Sequence, residues 1–410
     1  MAGSQPDWVA SLNSLGENLG DDGRSLVTLD EAAVLAAAVE NTGLDDFGDT
    51  WFREPLRLLL RSLDEDAGLT LLGRIVARSE VQRFLQNRLR IEDCWQRHPE
   101  IADEVIENPI FVCGLGRSGT TLLHELLSQD PAHRVPLLWE MLFSVPPPET
   151  ATHASDPRIA AADREIKIQD CIDPAFTSMH VNGGALPNEC IYILGLAFLA
   201  DVFGGEYNIP GYSRGMARVD LTPAYAYHKR VLQLLQWKHK KDRWVLKAPT
   251  HFGRLGVLLS VYPDARVAVT HRDPLRVMSS LSSMLTTLKG MRSNRIKDGE
   301  LRATGLGQQR ALEHYMQQRE ELGELAKQII DVRYQDLVDD PIPALASLYA
   351  QWDLPFSAEA EARMRAYVAA NPQGKAGVHR HAFADTGLDL EEERAKLAPY
   401  QARFNVPSEI

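Results

Sequence analysis

A four-residue apolar run, Ile110-Phe111-Val112-Cys113, leads directly into Gly114-Leu115-Gly116-Arg117-Ser118-Gly119-Thr120-Thr121, after which Leu122, Leu123, Leu126 and Leu127 fall on one helical stripe. An apolar run that short, bounded by turn residues, has the character of a strand buried on both faces, and the leucine spacing is that of an amphipathic helix. Strand, glycine-rich turn and helix in this order make the core α/β. They also specify a turn in which successive backbone N–H groups converge on an anion, reinforced by the positive end of the helix that follows. Arg117 and the hydroxyls of Thr120 and Thr121 add donors.

Similar runs recur at Trp244-Val245-Leu246, Val267-Ala268-Val269 and Ile329-Ile330-Asp331-Val332, separated by material with helical spacing. This is the pattern of a parallel sheet covered by helices on both faces, a P-loop-type three-layer fold. The chain of 410 residues exceeds the usual size of one core. We therefore expect an N-terminal helical extension over 1–107, with Thr28 or Asp30 capping its first strong helix, and an α/β core over 108–345. Residues 346–410 are expected to add a helix near Ala358–Ala370, a Gly- and His-containing loop and a charged tail packed on the core. The most apolar segment, Ile191–Ala200, is stopped by Asp201 and is too short to cross a membrane; it reads as a buried helix.

A net charge of −12 argues against a broad nucleic-acid or anionic-membrane surface, so any anion must be met locally. Cys94, Cys113, Cys171 and Cys190 are scattered without metal-ligand spacing, and Met1–Trp8 has no basic flank followed by an apolar stretch. A reducing, cytoplasmic setting is the expectation.

Gly114 and Gly119 have the spacing of a nucleotide triphosphatase loop, but Thr120 stands where that loop needs lysine. Without the lysine, β- and γ-phosphates lose a principal cation. Downstream, Arg266-Val267-Ala268-Val269-Thr270-His271-Arg272-Asp273-Pro274 ends a strand and starts a helix, with Asp273 suited to the cap and Pro274 to the first turn. Arg272 is thereby presented at a helix start with Ser280 two turns on. An arginine and a serine so placed suit a second phosphate, distant from the first. Arg292 to Lys297 beyond it is basic, as loops over an acceptor pocket can be, but the sequence alone does not show such a loop.

The combination of GLGRSGTTLLHELL, KAPTHFGRL, YPDARVAVTHRDPLRVMSSL and RYQDLVDDP resembles the sulfotransferase superfamily, in the branch of bacterial and tyrosylprotein sulfotransferases, from about Asn108 to about Pro343. The resemblance implies transfer of a sulfuryl group from 3′-phosphoadenosine 5′-phosphosulfate (PAPS) to a hydroxyl on a small acceptor; the apolar segment Ile191–Ala200 and the cluster Trp139, Met141 and Phe143 permit a hydrophobic one, and core packing explains them equally well. It places Gly116, Arg117, Ser118, Gly119, Thr120 and Thr121 on the 5′-phosphosulfate, Arg272 and Ser280 on the 3′-phosphate, and Tyr334 near the adenine. Gln335 departs from the acidic residue common there. Lys375, in Gly374-Lys375-Ala376-Gly377, matches a basic loop that closes over the cofactor in relatives.

Sulfuryl transfer needs positioning and neutralisation of charge on the leaving phosphate, and the sulfate carries one charge fewer than a terminal phosphate, so no metal is expected. Lys247 matches the family's catalytic lysine, and Arg117 is the second candidate cation. For the base that takes the acceptor's proton, the resemblance implies Glu140, which corresponds to the glutamate of tyrosylprotein sulfotransferases if a two-residue insertion is allowed, or alternatively His251, four residues after Lys247, where other members place a histidine. Glu189, just before the apolar segment, is a third acidic group.

Overall fold

The computed structural model describes residues 6–179, 182–296, 299–372 and 381–410. The five strands are β1 (Ile110–Cys113), β2 (His133–Arg134), β3 (Arg243–Lys247), β4 (Arg266–His271) and β5 (Ile329–Arg333). All are parallel, in the order β2-β3-β1-β4-β5. The two-residue edge strand β2 carries no apolar run that would mark it in the sequence. β1 is central, with Ile110 opposite both Val245 and Arg266, so the loops leaving β1, β3 and β4 emerge side by side. Ligands of open α/β sheets bind at the carboxyl ends of strands where the order reverses, as it does here at β1.

Side-chain alternation explains the fully apolar β1. Ile110 and Val112 pack with Leu123, Leu126 and Leu127 on one face, whereas Phe111 and Cys113 join the larger core on the other. The leader is helical as expected, and Asp30 caps Glu31–Thr42 by accepting from the Ala33 N–H. Leu56, Leu59, Leu60 and Leu63 of the Arg53–Glu65 helix lie in the same hydrophobic cluster as Phe111 and Val269. The 27-residue helix Leu71–Arg97 crosses tightly over Arg292, where a side chain at Gly73 would come within 1.9 Å of the Arg292 carbonyl oxygen. Arg292 is itself buried between Glu80 and Glu206, at 3.2 and 3.1 Å, so it forms a structural crossing; Lys297, at the other end of that basic segment, lies outside the described residues.

Ile193–Ala200 is buried and Ile191 and Tyr192 partly so, but only Ile191–Gly195 is helical. Among the described residues, no helix is long and apolar enough to cross a membrane. The expected charged tail is largely a helix, Leu390–Phe404, started by Asp389 and anchored by buried Leu397, Tyr400 and Phe404. Its acidic first turn and internal Pro399 conceal it in the sequence; contact with His271, through the Tyr400 hydroxyl at 2.7 Å and a stacked Phe404 ring, holds it in place.

Candidate active site

The glycine loop follows from three local requirements. Gly114 has φ +149°, and a Cβ there would lie 2.6 Å from the Thr270 hydroxyl. Gly119 has φ +99°, and a Cβ would lie 2.8 Å from the Tyr334 ring. Arg117 itself adopts φ +73°, an uncommon conformation for a residue with a side chain. Ser118 fixes the turn from within by donating to the Leu115 carbonyl at 2.6 Å, and its hydroxyl is 2.7 Å from that of Thr270 on β4. The following helix, Thr120–Leu127, has no side-chain cap at Gly119, so its first N–H donors face the loop.

Arg117 reaches across to the Ser280 hydroxyl at 3.3 Å and the Met179 carbonyl at 2.9 Å. It has no carboxylate within ion-pair distance among the described residues. Burial, and then the neighbouring charge of Arg272, disfavour its protonated state relative to ordinary arginine. An anion entering the loop would relieve both. Arg272 donates to the Arg117 carbonyl at 3.1 Å and lies 4.0 Å above the Tyr334 ring. Its other nitrogens form a bidentate pair with Glu409, both contacts at 2.7 Å. Asp273 caps the Pro274–Gly290 helix as expected, and also receives Arg394 and the Glu409 N–H, which ties the C-terminal segment to this corner.

Lys247 ends β3 on the opposite side of the loop. Its side chain is 3 % exposed, with Nζ 3.3 Å from the Thr121 hydroxyl and 2.6 Å from Glu189 Oε1. The structure thus brings together Gly116–Thr121, Lys247, Arg272, Ser280 and Tyr334. Lys375 lies outside the described residues.

Glu140 and His251 are not part of this grouping. Glu140 is 0 % exposed and held by Arg134 through both carboxylate oxygens, by His153 at 3.0 Å and by the Leu137 N–H at 2.8 Å. Burial by itself would raise its pKa, but Arg134 and His153 override that and bring it to about 2. A carboxylate so occupied is a structural ion, not a base with a free lone pair. His251 is completely buried, with Nδ1 2.8 Å from the Tyr225 hydroxyl and its ring edge-on to Phe111. Burial lowers its pKa well below that of ordinary histidine. Proximity to Lys247 in sequence does not bring His251 to the loop, because the Pro249–Gly253 turn directs it into the core. Glu189 is faintly legible in the sequence, as an acidic residue flanking an apolar run, and Glu409 is not.

A parallel sheet with an anion-ready loop after β1, an arginine after β4 and a lysine after β3 defines an α/β protein of the P-loop class. The chain belongs to the sulfotransferase family, whose profile matches residues 109–358. It is similar to the omega-hydroxy-beta-dihydromenaquinone-9 sulfotransferases of Mycobacterium bovis and Mycobacterium tuberculosis, at 29 % identity over 61 % of this chain. That match spans 64 % of the relatives' own length. Among solved structures, a Mycobacterium tuberculosis sulfotransferase is 32 % identical with a TM-score of 0.80, covering 90 % of this chain and 98 % of its own. One from Mycobacterium avium is 29 % identical with a TM-score of 0.83, covering 92 % and 97 %.

Proposed function

We propose that the protein transfers a sulfuryl group from PAPS to the hydroxyl of a small hydrophobic acceptor. The observation that carries the reading is Arg117, a half-buried cation without a carboxylate partner among the described residues, set on an uncapped glycine loop. In this reading Gly116, Arg117, Ser118, Gly119, Thr120 and Thr121 hold the 5′-phosphosulfate. Arg272 exchanges Glu409 for the 3′-phosphate with help from Ser280, and Tyr334, packed between Gly119 and Arg272, borders the adenine.

Lys247 approaches the loop from β3 and takes the role of neutralising the bridging oxygen as the sulfur–oxygen bond to phosphate breaks. The new bond forms in line, from the acceptor oxygen to sulfur. Arg117 and Lys247 supply the positive charge, so the reading assigns no step to a metal.

Support for a hydrophobic acceptor comes from the wall beside the loop. Met179, whose carbonyl holds Arg117, and Met284 and Leu285, on the helix that carries Ser280, are partly buried around Phe176 and Leu288. The name of the curated relatives also carries a hydroxylated menaquinone derivative. The test is calorimetry with the desulfated nucleotide against ATP with magnesium, followed by transfer of label from PAPS to a panel of hydroxylated small molecules. Preference for ATP with magnesium, or failure to label any acceptor, would overturn the proposal.

A further inference from the structure

We propose that Glu189 is the catalytic base, and that its ion pair with Lys247 couples proton removal from the acceptor to neutralisation of the leaving group. This rests on the sulfotransfer reading above and assigns the residue that the reading leaves open.

Three observations converge on Glu189. The first is position. Thr121 lies in the first turn of the helix behind the glycine loop, Lys247 bonds its hydroxyl, and Glu189 Oε1 is 2.6 Å from the same Lys247 nitrogen. The backbone holds this register, since the Cys190 N–H donates to the Lys247 carbonyl at 2.8 Å, so Glu189 follows β3 rather than wandering on a loop. The second is access. The Glu189 side chain is 15 % exposed, and no hydrogen bond to its Oε2 is found among the described residues, whereas Glu140 and His251 are both fully enclosed, Glu140 with its carboxylate held by structural partners and His251 with Nδ1 on the Tyr225 hydroxyl. The third is charge. Lys247 is almost wholly buried, and a buried ammonium needs a counter-ion. Glu189 supplies it before a donor arrives.

These observations fit one sequence of events. With the site unloaded, Glu189 neutralises Lys247 and holds its amine beside Thr121. When Lys247 turns to the bridging oxygen of the donor, Glu189 loses part of its counter-charge and becomes a stronger base. The acceptor proton passes to Glu189 Oε2, the acceptor oxygen bonds to sulfur, and the sulfur–bridging-oxygen bond breaks, leaving its electron pair on the phosphate faced by Lys247. Proton, bond and charge are then accounted for without another reactant. Interdependence of this kind makes the two residues act as a unit.

The test compares wild type with Glu189→Gln, which keeps the shape and a hydrogen bond to Lys247 but cannot take a proton. Binding of the desulfated nucleotide, read by calorimetry, should stay within about threefold, since the base does not touch it. Transfer from labelled PAPS to aliphatic alcohols, which reach the site un-ionised, should fall about 10²- to 10⁴-fold. Transfer to para-nitrophenol, assayed above the pH at which that phenol ionises, should fall less than tenfold, because no proton remains to be removed. The acid limb of the kcat/KM profile with alcohols should vanish in the variant. Adding Lys247→Ala to Glu189→Gln should cost less than the product of the single losses.

Unchanged turnover with alcohols, or an equal loss with both acceptor types, would overturn the base assignment while leaving the sulfotransfer reading intact. Loss of nucleotide binding together with a lowered Tm would also overturn it, by assigning Glu189 a structural role. A wild-type protein that binds the desulfated nucleotide poorly and labels no acceptor would overturn both.

Discussion

Replacing Glu140 by Gln distinguishes a structural carboxylate from a catalytic one, and its cost can be worked from the structure. Glu140 and Arg134 are buried at 0 % and 2 % exposure, with His153 and the Leu137 N–H completing the carboxylate's partners. The variant leaves the Arg134 charge without its counter-ion, which typically costs about 3–5 kcal/mol for a pair this deep. The shift of the carboxyl from its ordinary 4.5 to about 2 gives a similar figure, roughly 3 kcal/mol. For 410 residues the unfolding entropy is about 0.9 kcal/mol/K, so the expected fall in Tm is roughly 4 °C.

The pH dependence has a definite sign. Because the folded carboxyl titrates below the unfolded one, its contribution is full above pH 4.5 and is lost as pH falls towards 2. Glu140→Gln should lack that part of the acid limb. Thermal unfolding followed by circular dichroism across this range, with turnover normalised to folded protein, is the assay. A variant whose Tm moves by less than about 1 °C while turnover drops about 10²-fold or more would refute the structural assignment and restore Glu140 as the base.

Other consequences can be measured directly. Arg117→Ala should weaken binding of the desulfated nucleotide about 10- to 100-fold, the worth of one charge-assisted contact, with no fall in Tm; unchanged affinity would remove Arg117 from the cradle. Glu409→Ala frees Arg272 from its bidentate partner and should tighten the same nucleotide by a few fold, since a partly exposed pair is worth about 1 kcal/mol. Equal or weaker binding would mean that the C-terminal segment does not compete for that arginine. His251→Gln should cost about 1–2 kcal/mol of stability through the Tyr225 hydrogen bond and leave turnover per folded molecule intact. A hundredfold loss of turnover at unchanged Tm would return histidine to the mechanism.

The sequence by itself determined the strands β1, β3, β4 and β5, the glycine loop, the Asp273 cap, the two candidate cations Arg117 and Lys247 and the arginine for a second phosphate, Arg272. Each of these is written in residues within one turn or one strand of each other, where apolar spacing, glycine conformation and capping chemistry act locally. What only the tertiary structure decided is which charged groups are free to react. Glu140 is withdrawn by Arg134 and by His153, partners whose burial no local pattern reveals, and His251 is turned into the core by packing on Phe111 and Tyr225. Glu189 gains its place from Lys247, 58 residues away, across parallel pairing that sets β3 beside β1. Likewise the helix Leu390–Phe404 is assembled by burial of Leu397, Tyr400 and Phe404 against the sheet, and it brings Glu409 onto Arg272. Desolvation and the choice of counter-ion depend on every element that packs around a side chain, and only the folded chain supplies those neighbours.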